Sequence, residues 1–387
     1  MRSIDTNVIR LGWVSYFTDL ASAMVNPLLP LFVVTVLHEG MDKLGIIVAV
    51  ATFVSYALRL VSGYLADRYG IVKPLVVGGY LFSAVSKPLL GLTQGWQSIA
   101  ALRACERLGK GLRSAPKDMM IAAYSREAAH GKTFGFHKTL DIAGEFSGTL
   151  LLFGVLWYFG DSETVMRLLF FATVVPGIVG VVIVLFFVRD VPKPDAAPEA
   201  APRRFRLSAR DRATVGGLGF YFLFFFFVFN DAFFTMQAKE VGIAVAVIPL
   251  LFAVSTGIQT LTSYALGVGS DRFGNGTVTA FGYLCGIIAQ GLLWLQTTAA
   301  TWAAFAFFGL FTVATLNANR AMIAQQADNR GSVYGIFYAA VALFGAGGAA
   351  FGGWLWEHFG MQTALNVSLG GTAAVGALYL LAKAVRP

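Results

Sequence analysis

The sequence predicts an all-α membrane protein of twelve transmembrane helices, arranged as two pseudo-symmetric six-helix bundles. Three observations predict it: a composition suited to lipid, twelve long apolar stretches, and an internal repeat that halves the chain. Of 387 residues, 57% are hydrophobic and only 13% charged, whereas soluble domains run at about 45–50% apolar and about 25% charged. Phe occurs 34 times and His only 4. Disordered chains, secreted disulfide scaffolds and water-soluble enzymes are excluded on these figures. Cys105 and Cys285, both in apolar runs, offer no disulfide framework and no CxxC metal site. No metal and no cofactor is therefore expected. The net charge of +8 is spread between apolar stretches and lines no single face, so no nucleic-acid partner is expected either.

The stretches justify the helices one by one. Crossing hydrocarbon takes about 20 mostly apolar residues. Such runs occupy 8–37, 43–66, 73–93, 96–113, 133–159, 164–188, 213–238, 243–269, 277–297, 300–317, 332–357 and 361–384. They are continuous, not alternating, which favours helices over barrel strands. The first carries Asp19, Asn26, Pro27 and Pro30 and no small-residue cleavage site, so it reads as a span and not as a cleaved leader. Lys and Arg set the orientation. With the N-terminus inside, the internal loops hold Arg68, Lys73, Arg113, Lys117, Arg126 and Lys132, then the basic residues of 189–212, then Arg272, Arg320, Arg330, Lys383 and Arg386. The opposite loops hold little beyond Lys43, Arg167 and Lys239. Both termini are expected on the cytoplasmic side of a bacterial inner (plasma) membrane. Residues 189–212, polar and rich in Pro and Ala, read as a linker. An N-terminal bundle over 1–188 and a C-terminal bundle over 213–387 lie on either side.

The two halves repeat one another. Gly63-Tyr-Leu-Ala-Asp67-Arg68-Tyr-Gly70 returns as Gly267-Val-Gly-Ser-Asp271-Arg272-Phe-Gly274. Phe17-Thr-Asp19 returns as Phe229-Asn-Asp231, and Gly79-Tyr80-Leu81 as Gly282-Tyr283-Leu284, which sets Lys87 opposite Gln290. Gly131 and Gly135 match Gly331 and Gly335. Parallel repeats around a shared cavity are the architecture of rocker-type secondary transporters.

The block from Gly63 to Gly70 is similar to the loop motif of the major facilitator superfamily, which the chain resembles throughout its length. FTDLASAMVNPLLPLF, LGKGLRSAPKDMMIA and GKTFGFHKTLDIAG resemble a bacterial branch of that superfamily's transporters, and this likeness implies no single substrate. Two departures stand out. That branch usually has an acid where this chain has Ala23. Its fifth span usually reads GxxxGP, whereas here Gly144 and Gly148 are followed by Thr149, which argues against a drug/proton antiporter. The resemblance implies a gating role for Gly63, Asp67, Arg68 and Gly70. The repeat extends the motif to Gly267, Asp271 and Arg272. Gly63 and Gly267 are expected to let helix ends approach closely, forming a latch that holds in only one global state.

Ionisable residues inside the spans are costly and rarely idle. Asp19 lies near the midplane of the first span. His137, Asp141 and Glu145, spaced by four, share one face of the fifth. A carboxylate surrounded by hydrocarbon can exchange a proton near neutral pH. Asp19, Asp141 and Glu145 are thus proton-coupling candidates, with His137 as a relay. The alternative is structural: Asp141 paired with Arg103, Arg107 or Lys110, and Asp19 paired with Arg59 or Lys87. One of Arg59 and Lys87 is expected to serve that pairing and the other the substrate or coupling. Asn26, Asn230, Asp231, Gln259 and Gln290 complete the candidate substrate-binding set. The ridge of Arg103, Glu106, Arg107, Lys110 and Arg113 is expected to meet lipid headgroups. The run Phe222, Phe224, Phe225, Phe226 and Phe227 is expected mostly to touch lipid.

These residues point to a secondary active transporter of a small molecule, working by alternating access with protons. No Walker loop, HExxH or GxSxG is present, so ATP hydrolysis and an embedded enzyme are not expected. Efflux of an amphiphilic or hydrophobic compound suits the apolar second half. Import of an anionic metabolite or metal chelate suits Arg59 and Lys87. A transport-dead sensor is a third reading. The expected partners are a small-molecule substrate, protons and the bilayer, with the chain acting as a monomer.

Overall fold

The computed structural model describes residues 4–69, 71–125, 130–191 and 207–385, apart from the side chains of some helical residues. Among them every element is helical: α1 (Thr6–Leu31), α2 (Met41–Tyr69), α3 (Val72–Leu89), α4 (Trp96–Ala123), α5 (His130–Phe159), α6 (Glu163–Ala172) and α7 (Val174–Val182). After residues 192–206 come α8 (Ala209–Phe227), α9 (Asp231–Glu240), α10 (Ile248–Phe273), α11 (Asn275–Trp294), α12 (Thr298–Gln326), α13 (Arg330–Phe359) and α14 (Met361–Val385). Ten helical stretches are long and apolar enough to cross a membrane. α4 and α10, at 28 and 26 residues, match them in length but are not among the ten. Outward side chains such as Trp157, Tyr158, Phe186 and Leu381 are exposed. An apolar surface of that kind belongs in lipid.

Short polar residues start the helices and glycines stop them. Asp5, Ser162, Asn230, Thr297 and Asn329 each accept a backbone N–H of the turn they precede, satisfying donors that hydrocarbon would leave orphaned. α8 opens on a reciprocal cap between Ser208 and Asp211. Asp211 Oδ1 also accepts the N–H groups of Asp328 (2.9 Å) and Asn329 (3.1 Å), fixing the α12–α13 turn. Gly160, Gly274 and Gly360 follow helix ends with φ of 80°, 84° and 82°, a region costly for other residues.

The chain divides into two compact units, Met1–Phe32 with Val50–Arg204 and Val33–Ala49 with Phe205–Pro387. In the first, α1 packs along α5. A Cβ on Gly144 or Gly148 would strike the carbonyl of Tyr16 or Leu20, so the GxxxG pair is the seam at which these backbones meet. α3 and α4 meet likewise at Gly79 and Gly109. In the second unit Gly348 lies on the Phe226 carbonyl, and Gly282 faces Thr315 across the α11–α12 seam. The opening turns of α2 belong to this unit. There Gly45 faces the Ala349 carbonyl and Gly353, and Glu357 Oε2 accepts the Met41 N–H at 2.7 Å.

The phenylalanine run of α8 corrects its expectation. Phe224 is fully buried, stacked on Tyr283 with ring centroids 4.5 Å apart and 5.3 Å from Phe311. Phe222 is buried against Phe337 and Phe344, Phe226 stacks on Phe351, and Phe227 meets Gly371. Phe222 and Phe224 fill the space between α8, α11, α12 and α13, while Phe225, Phe226 and Phe227 are half-buried. Small residues on the facing helices make the room for them.

Candidate functional site

Polar chemistry in the first unit converges where α1, α3, α4 and α5 meet. α4 supplies most of it. Its charges at 103, 106, 107, 110, 113 and 117 recur every three or four residues and so share one face. That face points inward: Arg103, Glu106 and Arg113 are 4–6% exposed. The expected headgroup ridge is therefore a buried one. α4 also continues to Ala123, which puts Arg113 and Lys117 on the helix and not in a loop.

Several members of this ridge are structurally satisfied. Arg103 pairs with Glu106 one turn on. Asn26 Oδ1 accepts from Arg103 Nη2 at 3.3 Å and from Arg107 Nη2 at 3.5 Å, tying α1 to α4. Arg113 Nη1 donates to the Gly79 carbonyl (3.2 Å) and Ser83 Oγ (2.6 Å), and its guanidinium lies 4.5 Å from the Tyr80 ring centroid. Arg113 thus anchors α3, and the fixed planar fork of arginine suits that task.

Asp19 is placed differently. Half-buried on α1, it makes no hydrogen bond and no ion pair among the described residues. The charges acting around it come from three neighbouring helices: Lys87 on α3, Lys110 and Lys117 on α4, and His137 on α5. Lys87 is 1% exposed and donates to the Thr18 carbonyl at 3.3 Å. The expected standing pair between Asp19 and Arg59 or Lys87 is not formed. Arg59 instead lies over the Tyr56 ring, 5.2 Å from its centroid.

One turn before Asp19, Ser15 Oγ collects three groups: Lys117 Nζ at 3.2 Å, His137 Nε2 at 3.1 Å and Tyr80 Oη at 3.3 Å. His137 Nδ1 lies 3.4 Å from Asp141 Oδ1 without aligning as a hydrogen bond. Lys138 reaches the other Asp141 oxygen at 4.0 Å. The neighbours of Asp141 are thus on its own helix, and no ion pair to Arg103, Arg107 or Lys110 is formed among the described residues. Glu145, a further turn on, is half-buried, and its carbonyl accepts from Thr149 Oγ1 at 2.8 Å.

The interior of the first unit holds a surplus of positive charge. Among the described residues, the buried or half-buried cations Arg59, Lys87, Arg103, Arg107, Lys110, Arg113 and Lys117 outnumber the buried or half-buried acids Asp19, Glu106, Asp141 and Glu145. In a low-dielectric interior such a surplus attracts an anion strongly.

The second unit brings its candidates to no common place. Gln290 is fully buried; its Oε1 accepts from Ser368 Oγ at 2.9 Å, and its Nε2 has no hydrogen-bond partner among the described residues. Gln259 donates to Ser255 Oγ at 3.3 Å within its own helix. Asn230 caps α9, and Asp231 is an exposed residue of its first turn. Asp271 and Arg272 are exposed, and a Cβ on Gly267 would meet nothing within 4 Å, so the expected close approach there is absent. Gly63, Asp67 and Arg68 fall on α2, with their side chains outside what the structure describes, and Gly70 lies outside the described residues. Sequence reasoning missed Ser15, Tyr80 and Lys117 as neighbours of Asp19 and assigned Lys110 to the headgroups. The signal was the unbroken three-and-four spacing of the α4 charges through Lys117.

Known proteins agree with this architecture. An uncharacterized MFS-type transporter of Methanocaldococcus jannaschii is 27% identical over 98% of this chain and 95% of its own length. The crystal structure of a mutant of the nucleoside transporter NupG superposes with a TM-score of 0.79 at 13% identity, covering 97% of this chain and 99% of that one. A bacterial homologue of the human lysosomal transporter Spinster gives 0.75 at 14% identity, covering 97% and 96%. The family model described as Major Facilitator Superfamily matches residues 11–340. A multi-pass helical membrane protein with these relatives and this repeat belongs to the Major Facilitator Superfamily.

Proposed function

We propose that this chain is a proton-coupled secondary transporter of a small organic anion, working by alternating access in a bacterial inner membrane with both termini inside. The twelve-span count and the two-bundle organisation belong to this proposal. The observation that carries it is Asp19, an acid without an ion pair among three lysines in the interior of the first unit. A half-buried carboxylate outside any ion pair is the group that supports proton coupling, whereas one locked to a base would not. The cation surplus supports the anionic cargo. Efflux of a greasy compound suits an apolar second half, but there Phe224 and Phe226 of α8 are occupied in packing. The transporters that share the fold differ in the cargo they are named for, so the fold argues for transport and leaves the cargo to the site.

The test is uptake into proteoliposomes under an imposed pH gradient, comparing small carboxylates with lipophilic cations. Accumulation of carboxylates, lost in Asp19→Asn, is the expected result. Accumulation of lipophilic cations alone would return the reading to efflux, and binding without flux to a sensor.

A further inference from the structure

We infer that the end of α7 seats an anionic phospholipid of the bilayer, its phosphate held by Arg10, Lys73 and Arg189 and its acyl chains lying along the outward sides of α3 and α7. The site needs only the membrane placement proposed above and is independent of the cargo.

Beyond Val182, residues Ile183–Phe187 continue α7 as a wider π-type turn, closed by the Val188 N–H on the Ile183 carbonyl at 3.2 Å. The last carbonyls of a helix lack donors of their own, and here neighbouring helices supply them. Arg10 Nη1 of α1 donates to the Phe187 carbonyl at 2.6 Å, and Lys73 Nζ of α3 to that of Leu185 at 2.9 Å. Tyr124 Oη, just past the end of α4, donates to the Arg189 carbonyl at 2.6 Å, and the Arg189 N–H to Asn7 Oδ1 at 3.2 Å. Two cations are thereby brought to one helix C-terminus, where the macrodipole favours them. Arg189 stands exposed two residues beyond Phe187.

These cations keep donors for a phosphate. Lys73 Nζ spends one N–H of three, and Arg10 one Nη1 contact of its five-donor fork. The Arg189 side chain makes no hydrogen bond and no ion pair among the described residues. The acids at this end are turned to backbone instead. Asp5 Oδ1 accepts the Asn7 N–H at 2.7 Å, and Asp190 Oδ1 those of Val191 at 2.9 Å and Lys73 at 3.3 Å. What adjoins the cations argues for a lipid over a dissolved anion. A Cβ on Gly177 would meet Ala84 at 3.1 Å, so α3 and α7 touch there. Flanking that seam, Leu81 and Val85 of α3 and Ile178 and Val182 of α7 are exposed. Phe186, 72% exposed, carries the apolar surface down to the cations. Trp13, exposed and one turn from Arg10, suits the same headgroup level. An apolar seam that ends on unpaired cations fits acyl chains and an anionic headgroup together.

The test titrates the purified chain in detergent with phosphatidylglycerol or phosphatidylcholine of matched acyl length, reading retained lipid by native mass spectrometry. Wild type is expected to retain phosphatidylglycerol at least about tenfold better, with the preference falling as salt is raised. Arg10→Gln, Lys73→Gln and Arg189→Gln are each expected to cut that preference about fivefold. Arg10 and Lys73 also hold carbonyls, so Arg189→Gln, which breaks no side-chain hydrogen bond or ion pair among the described residues, guards against misfolding. Lys383→Gln removes a cation that donates to Thr277 Oγ1 in the second unit and is expected to change nothing. Equal retention of the two lipids, a preference unchanged in Arg189→Gln, or one equally lost in Lys383→Gln overturns the site. So does equal binding of glycerol 3-phosphate, which would leave the acyl chains no part in it. None of these readouts involves cargo, so failure of carboxylate uptake leaves the lipid site standing, and failure of the lipid site leaves the transport reading standing.

Discussion

The two units use one helical plan for different ends. Each seats a long helix on its neighbour through glycine against a backbone carbonyl: Gly144 and Gly148 on α1 in the first, Gly348 on α8 in the second. Each buries a tyrosine on the helix that follows the repeated loop block, Tyr80 and Tyr283. The chemistry diverges about two turns further along those helices. Lys87 of α3 and Gln290 of α11 are both sealed from solvent, at 1% and 0% exposure. One is a cation among charges, the other an amide held by Ser368. Close packing is therefore common to both halves, and ionic chemistry is added to one of them. The cost of burying charge is the physical ground for the asymmetry, because each buried cation needs acids or polar neighbours to offset it.

The common plan is broken most severely at the seams. Gly148→Leu and Gly348→Leu are each expected to cost about 3 kcal/mol or more, since neither carbonyl can withdraw from an added side chain. Gly135→Leu, with open space around its Cβ, is the control. Thermal unfolding in detergent measures all three, and equal midpoints would falsify the seam assignment.

Next comes the ionic contrast. Gln290→Lys places a cation where no described acid compensates it, at an expected cost of about 3–5 kcal/mol. The reverse change, Lys87→Gln, is expected to leave the unfolding midpoint nearly unchanged while weakening anion binding. If Gln290→Lys is as stable as wild type, the second unit is not an uncharged frame.

A smaller effect sharpens the distinction between anchoring and functional cations. Arg113→Lys gives up the paired contacts to Gly79 and Ser83 and the stacking on Tyr80, an expected loss of about 1–2 kcal/mol. Transport by the surviving folded protein should be unaffected. A change in pH dependence there would make Arg113 a member of the coupling machinery.

Smallest is Glu357→Gln, which keeps an acceptor for the Met41 N–H but removes the charge facing the start of α2. About 0.3–1 kcal/mol is expected, read from the same unfolding midpoints. A larger loss would mean that the carboxylate does more than cap that helix.

Much of this was legible in the residues. The repeated block around Asp67 and Asp271 announced two like halves, whereas the seam at Gly144 and Gly148 emerged only in the structure. Asp19 stood out because an acid amid hydrocarbon is rarely idle. The inward turn of α4 was harder to see. Its charges look like a solvated ridge when the helix is cut at residue 113, and like one buried face when it is followed to Ala123. The phenylalanines of α8 misled for a related reason, since composition cannot distinguish a lipid-facing ring from one packed on Tyr283.

The linear chain by itself determined the helical class, the duplication and the presence of intramembrane charge, because these depend on local period, apolar length and residue identity. Only the tertiary structure decided which charges are spent on each other and which are left to act. Partnership across α1, α3, α4 and α5 joins residues more than a hundred positions apart, and no local pattern records that distance.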